Sequence, residues 1–420
     1  MEPEANEYAT EPVPDSSTVG WLRVAMISAM VAFSLPTFLT GLEVAAVYSA
    51  ADTAIILLTG TAILTLLGCI TGGIGAATRL SSYMLNRIAF GEYGAALVNI
   101  AFAISLLGWF GVNIDLFSDA VLRLSREMFS AEIPAWVVEL FAGALMTVTT
   151  FFGFRAINLL STLLVPVLMV VTVQLIAGSL DALPFTELMQ RAAAGNGSFG
   201  NGVSAVVGGI IVGTVILPDI TRFLRHWRHA AYGVILSYFL VSTIVMAAGA
   251  IASTALADHD LLNILLTLGI GWAAFAVVIF GSWVLNSLNL YSTMLSVEST
   301  LPRLNNRALI LVCGALGTVA AFFNILDYFL EFLFYLSIAF VPVSGVIAVD
   351  YCLCRRNAFH GARIGQLQQA RWSAIVAWLA GATVALMGSW GWFALSSIAA
   401  LDAVLVASAL YYLLQRGKTA

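Results

Sequence analysis

The sequence predicts an all-α integral membrane protein with twelve transmembrane helices, on the basis of its composition and of how its apolar residues are arranged. Of the 420 residues, 60% are hydrophobic and 10% are charged, and the mean hydropathy is +0.96. Soluble domains carry about 45–50% apolar and about 25% charged residues, so this chain lacks the ionisable side chains that a water-exposed surface needs. The apolar stretches are continuous and do not alternate with polar residues, which argues against a transmembrane β-barrel.

From Gly20 onward, apolar stretches follow one another, each close to the roughly 20 residues that a helix needs to cross a bilayer core. Residues 1–20 before them are polar and acidic, and we expect a disordered cytoplasmic tail there. The tail has no basic n-region, so it is not a signal peptide. The twelve predicted spans are 21–48, 52–77, 93–120, 134–154, 156–179, 199–220, 230–256, 265–295, 307–324, 328–350, 371–390 and 395–415.

The basic residues predict the orientation of these spans, because Lys and Arg favour the cytoplasmic side. With the N-terminus inside, 15 of the 18 Lys and Arg residues fall on the inner side. The three on the outer side are Arg123, Arg126 and Arg191. We therefore expect a multi-pass protein of the plasma (inner) membrane with both termini in the cytoplasm.

Charge and motifs exclude several other classes of function. The net charge of −5 gives no electrostatic basis for nucleic-acid binding. The four cysteines have neither zinc-site nor disulfide spacing. The segment Gly195–Gly200 spells GxGxxG, but it falls in a predicted outer loop with no strand before it. No cofactor, metal site or catalytic residue is expected, and the sequence leaves the oligomeric state open.

Two predicted spans carry residues that break helices near their middle. Span one contains Phe33 to Gly41, with Pro36 and three hydroxyl side chains, and span six contains Gly208 to Thr214 before Pro218. Backbone groups freed at such breaks must face protein or a wet cavity. Spans one and six are five apart, which predicts two inverted repeats with the substrate bound at the breaks. Ordinary Pro and Gly kinks are the alternative.

Polar side chains lie at similar depth in spans three and eight. Trp109 and Asn113 are four residues apart and so share one helical face, which suits a flat, hydrogen-bonding ligand. Asn286, Asn289 and Thr293 form one polar stripe. Such a stripe either holds helices together or lines a substrate site.

Ionisable groups inside spans are candidates for proton coupling by default. Glu43 in span one, Asp115 in span three and Glu331 in span ten are the candidates here. Each of them could instead be paired near a membrane interface.

The chain resembles the nucleobase–cation symporters of family 1, the purine/cytosine permease family, over nearly its whole length. The matching stretches keep the order and spacing of that family. They are Pro12–Pro14, Ile74–Ala76 to Phe90–Gly91, Gly108–Val112, Met146–Gly153, Asp219–Phe223, Asn286 with Leu290–Tyr291, and Pro342–Tyr351 with Arg355–Arg356.

The resemblance implies a five-plus-five inverted-repeat core of the LeuT/APC type, with two extra helices. The core would cover residues 21–350, with repeat one at about 21–179 and repeat two at about 199–350, and residues 351–420 would hold a cytoplasmic loop and helices eleven and twelve. It also implies alternating access and uptake of a nucleobase or similar planar heterocycle. By position, Trp109 would stack on the ring, Asn113 would flank it, Asn286 would hydrogen-bond it, and Phe33 would lie in the break of span one.

Departures from the family pattern change the expected substrate and the expected coupling ion. Leu106 stands where cytosine permeases carry a Gln. In place of a Ser-Phe-x-Ser pattern, span six has Gly209, Ile210 and Val212. The hydroxyls that bind sodium in sodium-coupled members are replaced by Val284 and Leu285. We therefore expect a permease driven by protons rather than sodium, or by no cation, for a less polar or differently substituted heterocycle.

Three alternatives stay open on the sequence alone. The same fold could carry an amino acid or amine, although a Trp and an amide fit a planar ring better than a zwitterion. A membrane-embedded enzyme or sensor would need a catalytic cluster or an attached soluble domain, and neither is visible. A channel fits poorly with broken helices around a single stacking aromatic.

Overall fold

The computed structural model describes residues 8, 11–130, 132–193, 195–274, 279–301, 304–323, 328–360 and 367–416, and most of these lie in α-helices. The helices are α1 Trp21–Ala32, α2 Leu35–Val47, α3 Ala50–Thr78, α4 Ser82–Phe129, α5 Ala135–Thr150, α6 Gly153–Ala182, α7 Phe185–Leu188, α8 Phe199–Val215, α9 Pro218–Thr221, α10 Trp227–Val234, α11 Ser242–Leu256, α12 Leu261–Thr267, α13 Gly271–Ala274, α14 Ser282–Thr300, α15 Asn306–Ala321, α16 Phe329–Val349, α17 Arg356–His360, α18 Trp372–Ser389 and α19 Ala399–Arg416.

Seven helical segments of the described chain are long and apolar enough to cross a membrane, and the bent pair α1 and α2 makes an eighth if counted as one span. Each of the twelve predicted stretches coincides with one or more helices, although α5 and α15 have only 16 residues each. The all-helical membrane architecture is therefore confirmed, and the count of twelve spans stays a prediction.

The packing divides most of the core into two groups of helices. One group contains α1, α2, α3, α8, α10 and α11, and the other contains α4, α5, α14 and α15. Helix α16 packs against α8 and against the final pair, α18 and α19. The last two helices are thus part of the same packed body: Trp378 donates its indole N–H to the Ala339 carbonyl of α16 at 2.7 Å.

Two glycines allow one of these helix pairs, α2 and α11, to touch backbone to backbone. A Cβ atom at Gly41 would overlap the Met246 carbonyl, and one at Gly249 would overlap the Phe38 carbonyl. Helices α2 and α11 therefore pack at the close distance that glycine permits in membrane proteins.

Gly91 interrupts α4 near its start. Its φ of 77° and ψ of 177° separate the turns before it from the long helix after it. A side chain there would be strained at this φ, and a Cβ would lie 2.8 Å from the Gln368 carbonyl oxygen. Span three was predicted from residue 93, just past this break.

Residues 11–20 correct the predicted disordered tail. Val13 is 1% exposed, and its N–H donates to the Arg79 carbonyl at 3.1 Å. The Val19 N–H donates to the Phe223 carbonyl at 2.8 Å, and Asp15 forms an ion pair with Arg79. Composition alone missed these contacts because the segment is held by backbone hydrogen bonds and one buried valine. Residues 1–7, 9 and 10 of the predicted tail lie outside the described part.

Candidate functional site

The break in span one is present. Helix α1 ends at Ala32, α2 begins at Leu35, and the two axes differ by 46°. Pro36 lies in the first turn of α2, where its missing N–H costs nothing. Thr37 donates its hydroxyl to the Val31 carbonyl at 3.3 Å and lies 3.0 Å from the Ser34 hydroxyl. Hydroxyl side chains thus satisfy part of the freed backbone.

Span six is not broken at the glycines where the sequence predicted it, and Phe199–Thr221 counts as one span of 23 residues. Helix α8 runs without interruption through Gly208, Gly209 and Gly213 and ends at Val215. A single turn, α9, begins at Pro218, after Ile216 and Leu217. Gly208 serves packing instead: a Cβ there would overlap the Leu333 carbonyl of α16. The freed Thr214 carbonyl accepts the Thr71 hydroxyl at 2.8 Å.

A cavity of about 50 Å³ lies between the first break, α4, α8 and α14. This is room for a few water molecules, so its walls must separate before a heterocycle can enter. None of the described residues that line it is ionisable. The lining residues are Val31, Ser34, Pro36, Leu106, Trp109, Gly209, Ile210, Val212, Gly213, Ile216, Leu285, Leu288 and Asn289.

Trp109 is the aromatic side chain of this cavity, and its ring is held from behind. Phe332 packs against it at 5.3 Å between centroids and 68° between planes, and Phe329 at 6.2 Å and 83°. Both are edge-to-face contacts, the arrangement that aromatic quadrupoles favour. The indole is 6% exposed and presents its free surface to the cavity.

The polar stripe of α14 forms a hydrogen-bond relay that ends in the cavity. Asn286 donates its amide to the Phe110 carbonyl at 2.9 Å and contacts the Met146 sulfur at 3.1 Å. Its Oδ1 accepts the amide of Asn289 at 3.3 Å. Asn289 lines the cavity, whereas Asn286 is fully buried and is not among the lining residues.

Two more predicted site residues lie beside the cavity and not in its lining. Phe33 is 4% exposed and closes the end of α1, its N–H donating to the Ala29 carbonyl at 2.9 Å. Asn113 is fully buried and donates to the Trp109 carbonyl at 2.7 Å. Its Oδ1 has no hydrogen-bond partner in the described chain.

Two positions on the face of α14 that turns toward the first break, Val284 and Leu285, carry no side-chain oxygen. A Cβ at Gly281 would lie 3.8 Å from the Phe33 carbonyl oxygen, which places this face against the break. Val284 and Leu285 follow three and four residues later, 1% and 7% exposed. Leu285 itself lines the cavity. Sodium requires oxygen ligands, and the side chains of Val284 and Leu285 supply none.

A second cavity, of about 250 Å³, is lined by Glu43 and Phe329. We call it the outer vestibule after the orientation that the sequence predicts. The other ionisable residues of the described chain that line it are Asp119, Arg123, His259 and Asp260. Arg123 and Asp260 form an ion pair across it, between the end of α4 and the start of α12. Leu35 and Phe329 line the vestibule while Ser34 and Trp109 line the central cavity, so the partition is thin.

The structure separates the other two predicted coupling residues from both of these cavities. Asp115 is half-buried in α4 and lines neither one. Glu331 is exposed at the start of α16 and lines a third cavity of about 350 Å³ with Tyr48 and Trp390. In the described part of the chain, no cluster of His, Cys, Asp and Glu has the geometry of a metal site.

Sequence reasoning missed three lining residues: Val31, Ile216 and Leu288. They carry no polar or aromatic signal, and only helical spacing from Leu285 could have suggested Leu288. The vestibule residues His259 and Asp119 were missed because their proximity to Glu43 depends on tertiary packing. The Asn289 amide was noted only as part of a stripe.

Comparison with known proteins gives a consistent result. The family described as permeases for cytosine/purines, uracil, thiamine and allantoin matches residues 12–412. The cytosine permease of Escherichia coli strain K12 is 29% identical over 415 residues, which cover 97% of this chain and 94% of that protein. The hydantoin permease of Microbacterium maritypicum is 23% identical over 297 residues, which cover 64% of this chain and 60% of that protein. These relatives are permeases and not enzymes.

Solved structures show the same fold. Mhp1, a nucleobase-cation-symport-1 family transporter in a closed conformation with bromovinylhydantoin bound, superimposes with a TM-score of 0.84 at 20% identity, covering 97% of this chain and 95% of that one. A Na⁺-coupled sialic acid symporter in a substrate-bound outward-open state gives 0.70 at 14% identity, with coverage of 95% and 90%.

Proposed function

Since the chain belongs to the family of permeases for cytosine/purines, uracil, thiamine and allantoin, we propose that it is a secondary active transporter of a planar heterocycle, such as cytosine or another pyrimidine or purine. It works by alternating access, with twelve spans of which the first ten form two inverted repeats. Its N- and C-termini lie in the cytoplasm, and the membrane is the plasma (inner) membrane.

The two helix groups support alternating access. Spans one, two, six and seven correspond to α1–α3, α8, α10 and α11, and spans three, four, eight and nine to α4, α5, α14 and α15. The central cavity lies between these groups, because its walls come from both. Rocking one group against the other would open the cavity on one side at a time.

The observation that carries the proposal is the braced indole of Trp109 in an uncharged cavity. Phe329 and Phe332 fix the plane of the ring, so it offers a ready stacking surface. Gly209, Ile210 and Val212 supply an apolar wall from α8. A neutral ring gives up little hydration free energy on entering such a site, whereas an unpaired charge would give up a large amount.

Asn289 supplies the hydrogen bond that orients the ring. Its amide is fixed on one side by Asn286, which is fixed in turn by the Phe110 carbonyl. The rest of the Asn289 amide, one N–H and the carbonyl oxygen, is left for the substrate. Asn286 thus acts as a positioning residue, and Phe33 and Asn113 support the break and the Trp109 backbone.

We assign coupling to protons, with Glu43 as the carrier. Glu43 lies in the outer vestibule, two helical turns from the break on the same helix, and is half-buried. The face of α14 toward the break lacks the hydroxyls of a sodium site at Val284 and Leu285. Asp115 and Glu331 are weaker candidates because neither lines the central cavity or the vestibule.

A thermal-shift panel tests the substrate class. Purified protein is heated with pyrimidines, purines, hydantoins and amino acids, each with and without sodium. We expect at least one heterocycle to raise the melting temperature by the same amount with and without sodium. In Trp109→Ala, the rise should be much smaller. No shift with any heterocycle, but a shift with an amino acid, would overturn the proposal.

An amino acid or amine transporter of the same fold is the second candidate. The likeness to the sialic acid symporter shows a shared fold and no more. The uncharged lining of the central cavity argues against a zwitterion, which would need a charged or dipolar partner at each end.

A further inference from the structure

A basic and aromatic patch lies where the first and seventh predicted spans begin, and transport gives it no role. In α10 and the loop before it, Arg225, His226, Trp227 and Arg228 are all exposed, with Trp227 at 57%. Arg23 is exposed in the first turn of α1. We call Arg23, Arg225, Arg228, Trp21 and Trp227 the basic patch.

Packing brings the two parts of the patch together. Val24 and Ile27 of α1 share a buried cluster with Leu224 and Ala230. Val19 pairs with Leu224 as an isolated bridge, and Arg225 donates its Nε to the Thr18 hydroxyl at 3.2 Å. The first turns of α1 and α10 therefore start side by side.

The arginines of the patch are not neutralised by the described chain. Of the carboxylates at this end, Asp15 pairs with Arg79, and Asp219 is buried and accepts both the N–H and the hydroxyl of Ser82. No ion pair joins Arg23, Arg225 or Arg228 to a described carboxylate. Arg228 instead lies over the Trp227 ring, 5.6 Å from its centroid.

The chemistry of the patch fits one class of partner. Guanidinium groups bind phosphate oxygens in a bidentate fork, and indoles settle at the level of lipid headgroups. Trp21 and Leu22 are 38% and 57% exposed beside Arg23. Cations next to exposed apolar side chains at a helix start match an amphiphile better than a free anion. We propose that the basic patch binds the phosphate of an anionic phospholipid, with the two tryptophans against its glycerol region.

Lipid titration of the purified transporter tests the proposal. The melting temperature is measured in detergent with added phosphatidylglycerol, phosphatidylcholine or inorganic phosphate, for wild type and Arg225→Gln/Arg228→Gln. We expect phosphatidylglycerol to raise it in wild type, the double variant to lose most of that rise, and the other two additives to have little effect. Arg191→Gln, which changes an exposed arginine at the other end of the molecule, should keep the full rise.

Three outcomes would overturn the proposal. The double variant could keep the rise, inorganic phosphate could reproduce it, or Arg191→Gln could lose it equally. A further variant, Glu2→Gln/Glu4→Gln/Glu7→Gln, tests whether acidic residues of the chain itself occupy the patch. If phosphatidylglycerol stabilises that variant and not wild type, the native patch is not a lipid site. Heterocycle-induced shifts measured in the same samples keep this result separate from the proposed transport function.

Discussion

At the residue scale, the central cavity depends on side chains that are held by their neighbours. Trp109 is braced by two phenylalanines, and Asn289 is fixed through Asn286 to the backbone of α4. The sequence predicted Trp109, Gly209, Ile210 and Val212 near the ligand, and all four line the cavity. The family resemblance put Asn286 at the ligand, whereas Asn289 is the amide of the stripe that lines the cavity, and spacing along one helix cannot distinguish the two.

The relay predicts different effects for its two amides. Asn289→Ala should weaken heterocycle binding about tenfold, the value of one hydrogen bond in a buried site, with little loss of stability. Asn286→Ala should lower the melting temperature of the empty protein, because the Asn289 amide loses a partner inside the core. Isothermal titration and thermal unfolding measure the two effects.

Thr293→Val is the matched control for both amide variants. It changes the next polar position of the same stripe, one turn further on, where the hydroxyl donates to the backbone carbonyl of Asn289. If Asn286→Ala reduced binding tenfold and Asn289→Ala did not, the relay would run the other way and the assignment of the cavity-facing amide would be wrong.

At the element scale, the first break is present where the sequence predicted it, and the second is absent from the predicted glycines for a physical reason. Pro36 prevents a continuous helix at a fixed point, so its position can be read from the sequence. Glycine permits a break but does not require one. At Gly208, the missing side chain allows α16 to pack closely against a continuous α8. The short interruption that span six does have lies just before Pro218, so it too is marked by a proline.

The ion pair between Arg123 and Asp260 ties α4 to α12 over the outer vestibule, and we expect it to favour the closed outer side. Asp260→Asn removes the charge and keeps an oxygen to cap α12, where Asp260 accepts the N–H of Leu262 at 3.0 Å. Exposed ion pairs contribute about 0.2–1 kcal/mol, so the open population should rise by at most about fivefold. The open population is measured by the rate of maleimide labelling of Leu39→Cys, in a background without the native cysteines. Asp258→Asn is the control, and equal labelling in both variants would contradict the account.

The docked segment 11–20 predicts a pH dependence. The Arg79 guanidinium lowers the pKa of Asp15 from its ordinary 3.8. A lowered pKa in the docked state adds stability that is fully present above pH 3.8 and is lost as the pH falls through the lowered value. The protection factors of the amides of residues 11–20, which are exchange rates corrected for the intrinsic rate at each pH, should therefore stay constant from neutral pH down to about 3.8 and fall below it. Arg79→Gln should remove this step, and an unchanged step would contradict the role of the ion pair.

At the scale of the whole molecule, composition was enough to predict a multi-pass helical membrane protein, and the order of short motifs was enough to predict the permease family. The driving ion is harder to predict because it depends on which oxygens meet at a break.

In proteoliposomes, we expect an inward proton gradient to drive uptake and a sodium gradient to have no effect. Glu43→Gln should abolish the proton effect. Sodium-driven uptake by wild type would contradict the argument from Val284 and Leu285.

Val284→Thr/Leu285→Thr extends the coupling test in the opposite direction. It restores two hydroxyls on the face of α14 that meets the first break, so we expect uptake to gain stimulation by sodium. Leu288→Thr, one turn further along the same face, should not confer it.

The most direct test of the central claim is uptake of a labelled heterocycle, identified by thermal shift, in proteoliposomes containing wild type, Trp109→Phe or Trp109→Ala. Loss of base stacking costs about 1–3 kcal/mol, so Trp109→Ala should weaken apparent affinity by roughly 5- to 150-fold, while Trp109→Phe keeps part of it. Trp390→Ala removes an exposed tryptophan that does not line the central cavity, so this variant should transport as wild type does. Wild-type affinity in Trp109→Ala would contradict the account.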